Sequence, residues 1–116
     1  RELGVEAVIC PPFPSCAFKN ENSHLAGLYD YTILWNLTNF PSGSVPVTEV
    51  LPGEEESNYE DGYNDVFTHI LRKDLKGSAG MPLGVQVVSW AFEDEVCLAV
   101  MKAIDDQCQY NKAPLH

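Results

Sequence analysis

The run from Tyr31 to Val50, YTILWNLTNFPSGSVPVTEV, constrains this chain more than any other stretch. A helix-forming segment runs into Pro41, whose ring removes a backbone N–H and biases Phe40 away from the α region, so the helix must stop there. Ser42-Gly43-Ser44 reads as a tight turn, with Gly43 supplying the permissive backbone. Val45, Val47 and the β-branched Thr48 then alternate as in a strand. Pro46 cannot donate to a ladder, which places it at a strand start or on a sheet edge. A second phrase, GMPLGVQVVSW from Gly80 to Trp90, repeats the order of glycine, proline and apolar strand.

The rest of the chain can be read around these two phrases. Val5 to Cys10 (VEAVIC) is a short apolar run closed by Pro11, Pro12 and Pro14, which suits a strand buried on both faces, as in a parallel sheet. A proline-interrupted loop follows to about Leu25, with Phe13, Phe18 and Leu25 as its packing residues. Spacing of three and four residues predicts a helix over 26–39 with Tyr29, Ile33, Leu37 and Phe40 on one side. An acidic loop from Pro52 to Glu60 leads into a second helix over 63–76, with Val66, Phe67, Ile70, Leu71 and Leu75 as its apolar residues. Basic Arg72, Lys73 and Lys76 suit its C-terminal dipole, and Gly77 its cap. The strand Leu83 to Ser89 carries Gln86 among valines, and that buried amide needs hydrogen-bond partners, expected from neighbouring backbone. A last helix over 93–107 is expected to bury Val96, Val100, Ala103 and Ile104. The order β-α-β-α-β-α argues for an α/β layer fold with crossover helices. Three strands make a poor sheet by themselves, so additional chain is expected to supply neighbours.

Composition narrows the partners. In 116 residues the formal net charge is -10, which excludes the clustered Lys and Arg needed to bind nucleic-acid phosphates. Much of the negative charge lies in Glu54, Glu55, Glu56, Glu60, Asp61 and Asp65, read most simply as a solvated surface. There is no apolar run of about 18 residues to span a bilayer. RELGVEAVIC has neither the basic start nor the long apolar core of a signal peptide. The chain opens at Arg1 without an initiator methionine and is expected to be part of a longer product. Cys10, Cys16, Cys97 and Cys108 show no paired spacing for zinc, and Cys10 and Cys97 read as small buried hydrophobes. A reduced, cytosol-facing setting is expected, with any membrane attachment arising from elements outside this segment.

Taken in order, YTILWNLTNFPSGSVPVTEV, GYNDVFTHILRKDLKGSAGMPLGVQVV and EDEVCLAVMKAID resemble the C-terminal part of the amidase signature family, most closely its fatty-acid amide hydrolase branch. The likeness covers about Val5 to Asp105, and the long acidic interval between the two phrases favours that branch. The resemblance implies an α/β/α fold with a mixed central sheet flanked by helices. Residues 1–108 would be an incomplete part of one amidase domain, followed by a polar tail over 109–116. It implies hydrolysis of fatty-acid amides or N-acylethanolamines to fatty acid and amine, by a Ser-Ser-Lys triad with backbone N–H groups on the oxyanion. No cofactor is expected. The partners implied are the fatty-acid amide substrate, the rest of the amidase domain and, for the full-length protein, a homodimer and a membrane.

None of the quoted phrases matches the family's nucleophile or lysine motifs, so no catalytic residue is expected here. Ser42 and Ser44 align with the helix-to-strand turn, where a structural role is expected. His24, His69 and His116 have no nucleophile placed beside them by any local pattern. The residues matching positions that line the family's acyl passage are Ala26, Tyr29, Ile33 and Phe67. The alternative for all four is ordinary core packing. Two other functional readings stay open: an amidase of small amides or glutamine, against which the long acidic insert speaks, and a non-catalytic interaction segment.

Overall fold

The strand β3 (Pro82–Ser89) runs through the middle of a three-stranded sheet, with β1 (Ala7–Cys10) on one side and β2 (Ser42–Glu49) on the other. Helices α1 (Asp30–Thr38), α2 (Val66–Leu75) and α3 (Asp94–Cys108) alternate with the strands, and 3-10 turns occupy Asn20–Leu25 and Glu54–Glu56. The computed structural model describes residues 4–16, 19–25, 29–56 and 65–110. Both strand pairings are antiparallel, so VEAVIC is not the strand buried on both faces of a parallel sheet that its apolar run suggested. The valines of β3 explain its central place. Val87 and Val88 project to opposite faces and both are buried, so this strand is covered on either side. The apolar run of β1 is instead an edge: Val8 is exposed and Ile9 is 57% exposed. Periodicity alone could not separate these two cases, because both strands read as continuous apolar runs.

The connection from α1 to β2 also differs from expectation. The helix ends at Thr38 because Asn39 takes a left-handed conformation (φ 54°) as C-cap, its N–H bonding to the carbonyls of Asn36 and Trp35. Reversal is complete before Pro41, whose carbonyl already accepts from Ser89 N at 3.1 Å. Ser42, Gly43 and Ser44 are therefore strand residues opposite Val88, Val87 and Gln86, not a turn. Gly43 is needed for a different reason: a Cβ there would fall onto the Sδ and Cε of Met101 on α3. Pro46 sits on the edge strand, where the register shifts between Pro46 and Thr48.

α3 packs on the sheet over β2 and β3 through Cys97, buried with its thiol 3.5 Å from the Val87 carbonyl, and through Met101 over Gly43. The stripe expected to be buried, Val96, Val100, Ala103 and Ile104, lies round the helix from this contact and lines an open groove, half-buried at all but the exposed Ala103. Both stripes are apolar, and only the glycine hollow at position 43 selects the sulfur-bearing one. On the other sheet face, Trp35 of α1 stacks with Phe40 (6.4 Å), which meets Trp90 edge-on (5.5 Å). The indole of Trp90 ties down the start of β1 by donating to the Val5 carbonyl at 2.8 Å.

Polar side chains complete the frame. On α2 the buried residue is Asp74, 6% exposed, rather than the apolar stripe. Its carboxylate accepts from Asn22 Nδ2 (2.8 and 2.9 Å) and Lys19 N (3.3 Å), which fastens the 3-10 turn after β1 to the helix. The acidic segment is more than a solvated surface. Glu54 accepts from Leu51 N, Glu55 from Ala79 N, and Asp65 caps α2 through Thr68 N. Glu60 and Asp61 lie outside the described residues. The buried Gln86 has a thiol partner: Cys10 Sγ donates to its Oε1 at 3.7 Å.

Two glycine substitutions separate a yielding contact from an unyielding one. Gly43→Ala should lose about 1–3 kcal/mol by overpacking, and shortening Met101 to Ala in the same chain should make the two losses less than additive. Gly84→Ala should gain no such relief, because a Cβ there would meet the Val45 backbone carbonyl at 2.8 Å. Urea unfolding of the four variants reads this directly, and strictly additive losses for positions 43 and 101 would contradict the contact.

Candidate functional site

Of the residues matched to the acyl passage, those described lie at the N-cap of α1, on α1 and on α2, and none is a core residue of this segment. Tyr29, at the N-cap of α1, is 62% exposed, Ile33 44% and, on α2, Phe67 48%. Ala26 lies outside the described residues. Tyr29, Ile33 and Leu37 follow one another at helical spacing, and Leu37 is 78% exposed. Tyr31 and Leu34, on other sides of α1, are exposed too, which leaves only the Trp35 side against the sheet. Apolar side chains thus cover more than half of the circumference of α1, with Thr32 and Asn36 on the remaining side. That corrects the expected one-sided face: the stripe Tyr29–Ile33–Leu37 is the outer one, and Trp35 and Phe40 make the inner contact. Sequence reading overlooked Trp35, since the aromatic partner that holds it, Phe40, itself rests on Trp90, 50 residues further along.

α2 presents Val66 and Phe67 outward in its first turn, held by a well-formed N-cap. Asp65 accepts from both Thr68 N and Thr68 Oγ1 at 2.9 Å, and these bonds hold its carboxyl below the usual carboxylate range. The first residue of the exposed apolar turn is thereby fixed in orientation. Two hollows lie elsewhere. One, about 470 Å³, is lined by the Pro12–Cys16 loop, Val50, Leu75 and the start of β3. The other, about 70 Å³, sits between Trp35, Phe40, Val88 and Trp90. Tyr29, Ile33 and Phe67 line neither.

Nucleophilic chemistry finds little support among these side chains. Ser42 and Ser44 are exposed residues of an ordinary strand pairing. All four cysteines are free thiols. Burial pushes the Cys97 thiol up from its ordinary value, with a backbone contact from Gly43 pulling the other way. Burial likewise raises Cys10, opposed by the neighbouring Trp35 indole. That contact falls short of a hydrogen bond, since Trp35 Nε1 is buried with no acceptor in bonding geometry among the described residues. Thiols shifted upward are poor nucleophiles. Ser78 is buried to 1% and its Oγ has no hydrogen-bond partner among the described residues. Among those residues no three His, Cys, Asp or Glu side chains converge on a metal-sized space, and no helix is long and apolar enough to cross a membrane.

At class level the structure is an α/β segment, an antiparallel three-stranded sheet carrying three helices with apolar surface left open. Its relatives name the family. The chain is 31% identical over 107 residues to fatty-acid amide hydrolase 1 of Sus scrofa, covering 90% of this chain and 18% of that protein. It is 32% identical over 106 residues to fatty acid amide hydrolase 1 of Caenorhabditis elegans, covering 87% of this chain and 18% of the relative. An amidase of Gibberella moniliformis is 31% identical over 106 residues, with 91% and 17% covered. No family model matches the chain. Over the matched residues the chain is a segment of amidase-family sequence, and it spans less than a fifth of the length of these curated relatives.

The cap that orients the Phe67 turn has a definite pH signature. Because the folded carboxyl of Asp65 lies below its unfolded value, its contribution is complete above the unfolded pKa of about 3.9 and is lost as pH falls through the folded pKa. Asp65→Ala should therefore lower helix content and thermal stability at neutral pH. Its deficit against the parent should shrink toward zero in acid below that folded pKa. Parallel circular-dichroism melts at several pH values test this, and a deficit that stays constant in acid would refute the role of the ionised cap.

Proposed function

We propose that this segment is the C-terminal part of a serine amidase that hydrolyses fatty-acid amides or N-acylethanolamines to fatty acid and amine. The observation that carries the reading is the match of about nine-tenths of the chain to fatty-acid amide hydrolases of two animals. The segment contributes strands to the central sheet of an α/β/α domain, and α1 and α2 contribute walls of the acyl passage through Tyr29, Ile33 and Phe67, with Ala26 preceding them. The exposed apolar character of α1 supports this, since such side chains need covering by the rest of the domain, by substrate or by both. The Ser-Ser-Lys triad lies upstream in the longer polypeptide: the lysine and bridging serine take the proton of the nucleophilic serine, and backbone N–H groups hold the oxyanion. Residues 1–108 form part of one domain with the polar 109–116 as its tail. The protein works facing the cytosol, with dimer formation and membrane association residing in the full-length chain.

A second reading keeps the family and changes the substrate to small amides or glutamine; relatives named simply as amidases match about the same extent of chain at 31 and 34% identity. Substitution at Phe67 in the full-length protein decides between them. If Phe67 lines an acyl passage, Phe67→Ala should reduce kcat/KM for long-chain acyl amides by about 1–3 kcal/mol of transition-state binding, while short-chain amides change little. A core role instead predicts a stability loss of about 3–5 kcal/mol, with both substrate classes failing together. Rates on both chain lengths beside a melting curve separate the outcomes. Labelling by a fluorophosphonate should fall on a serine upstream of this segment, and stoichiometric labelling of Ser42 or Ser44 would overturn the reading.

A further inference from the structure

The hollow of about 470 Å³ beside the start of β3 has no part in the passage proposed for Tyr29, Ile33 and Phe67. Its volume falls in the range of small-molecule sites. Phe13, Val50, Leu75 and Leu83 supply apolar walls, and Glu54 is the one charged side chain among its lining residues. Glu54 is exposed and Cys16 is 5% exposed, which sets the carboxylate at the mouth and the thiol in the interior wall. A bond from Leu51 N to Oε2 at 2.8 Å holds the Glu54 carboxylate in place, while its Oε1 has no hydrogen bond to a described residue. Pro12 and Pro14 fix the backbone on either side of Phe13, and Ser15 Oγ donates to Cys16 Sγ at 3.8 Å. The wall and the charge are thus set before any ligand arrives.

We propose that this cavity binds an aliphatic primary ammonium ion, its alkyl chain along Phe13, Val50 and Leu75 and its head group on Glu54 Oε1. Charge selects the ligand class. A bond from an ammonium N–H to a carboxylate is about twice as strong as a neutral one. No Lys, Arg or His lines the cavity to compete for the carboxylate or to receive an anion. The chain's net charge of -10 draws cations toward the mouth and repels anions. An alcohol of the same length would fill the same walls without the ion pair, and a fatty acid would bring a like charge to Glu54. The ligand class follows from the cavity alone and does not rest on the amidase reading.

The test uses the full-length protein, with hexylammonium, hexanol and hexanoate as probes of equal chain length and different charge. Alkylation by N-ethylmaleimide, followed by peptide mapping, is read at Cys16 and at Cys97, which lies under α3 outside the cavity. A general change in stability alters both thiols, so the ratio of their rates reports occupation of the cavity. Hexylammonium should slow Cys16 relative to Cys97 by about threefold or more, the factor growing as 1 + [L]/Kd. At the same concentration hexanol should protect less, and hexanoate least. Glu54→Gln keeps an acceptor for Leu51 N and removes the charge, so it should bring hexylammonium down to the level of hexanol. Equal protection by hexylammonium and hexanol in the parent protein would overturn the proposal, as would an ammonium preference that survives Glu54→Gln. So would a Cys16 protected by none of the three, or one that the maleimide never reaches because the rest of the polypeptide fills the cavity.

Discussion

Everything in this structure hangs on β3. It pairs with β1 along one edge and β2 along the other, and its two central valines are buried on opposite faces. An antiparallel strand flanked on both sides satisfies its own backbone and offers both neighbours a full ladder. α3 then lies on one face through the Val87 carbonyl and the hollow at Gly43. The aromatic set Trp35, Phe40 and Trp90 closes the other face. Remove the central strand and neither edge strand has a partner among the described residues.

The second constraint is what remains uncovered. β1 is a four-residue edge with an exposed isoleucine, α1 has apolar side chains on most of its sides, and α3 carries an open seam. A self-sufficient domain of this size rarely leaves so much apolar surface in water. The stretch matched to the curated relatives is under a fifth of their length. Tyr29, Ile33 and Phe67 are among the apolar side chains left exposed.

Polar side chains handle the connections. Asp74 binds the turn after β1 to α2, Glu54 and Glu55 hold the chain after β2 and the bend before β3, and Asp65 starts α2. Each satisfies backbone or amide donors that loops would otherwise leave to solvent. Acid-rich loops thus serve as fastenings here, at positions where charge composition suggested only a wetted surface.

The sequence by itself determined the kinds of element, their alternation and the family. Pro41, Gly77 and Gly80 punctuate the chain chemically, periodicity separates strand from helix, and the phrases around NFPSGSVPV and GMPLGVQ identify amidase sequence. Tertiary structure alone decided direction, burial and facing. VEAVIC and GVQVVS read alike, yet one is an edge and the other the centre, because burial of a strand depends on neighbours remote in sequence. α3 has two apolar stripes, and the missing side chain at Gly43 chose which one meets the sheet. The proposed lining residues were legible only as a family likeness, since Tyr29, Ile33 and Phe67 have the same helical spacing whether they face a core, a cavity or another chain. What a side chain faces is a property of the packed whole, and no local pattern encodes it.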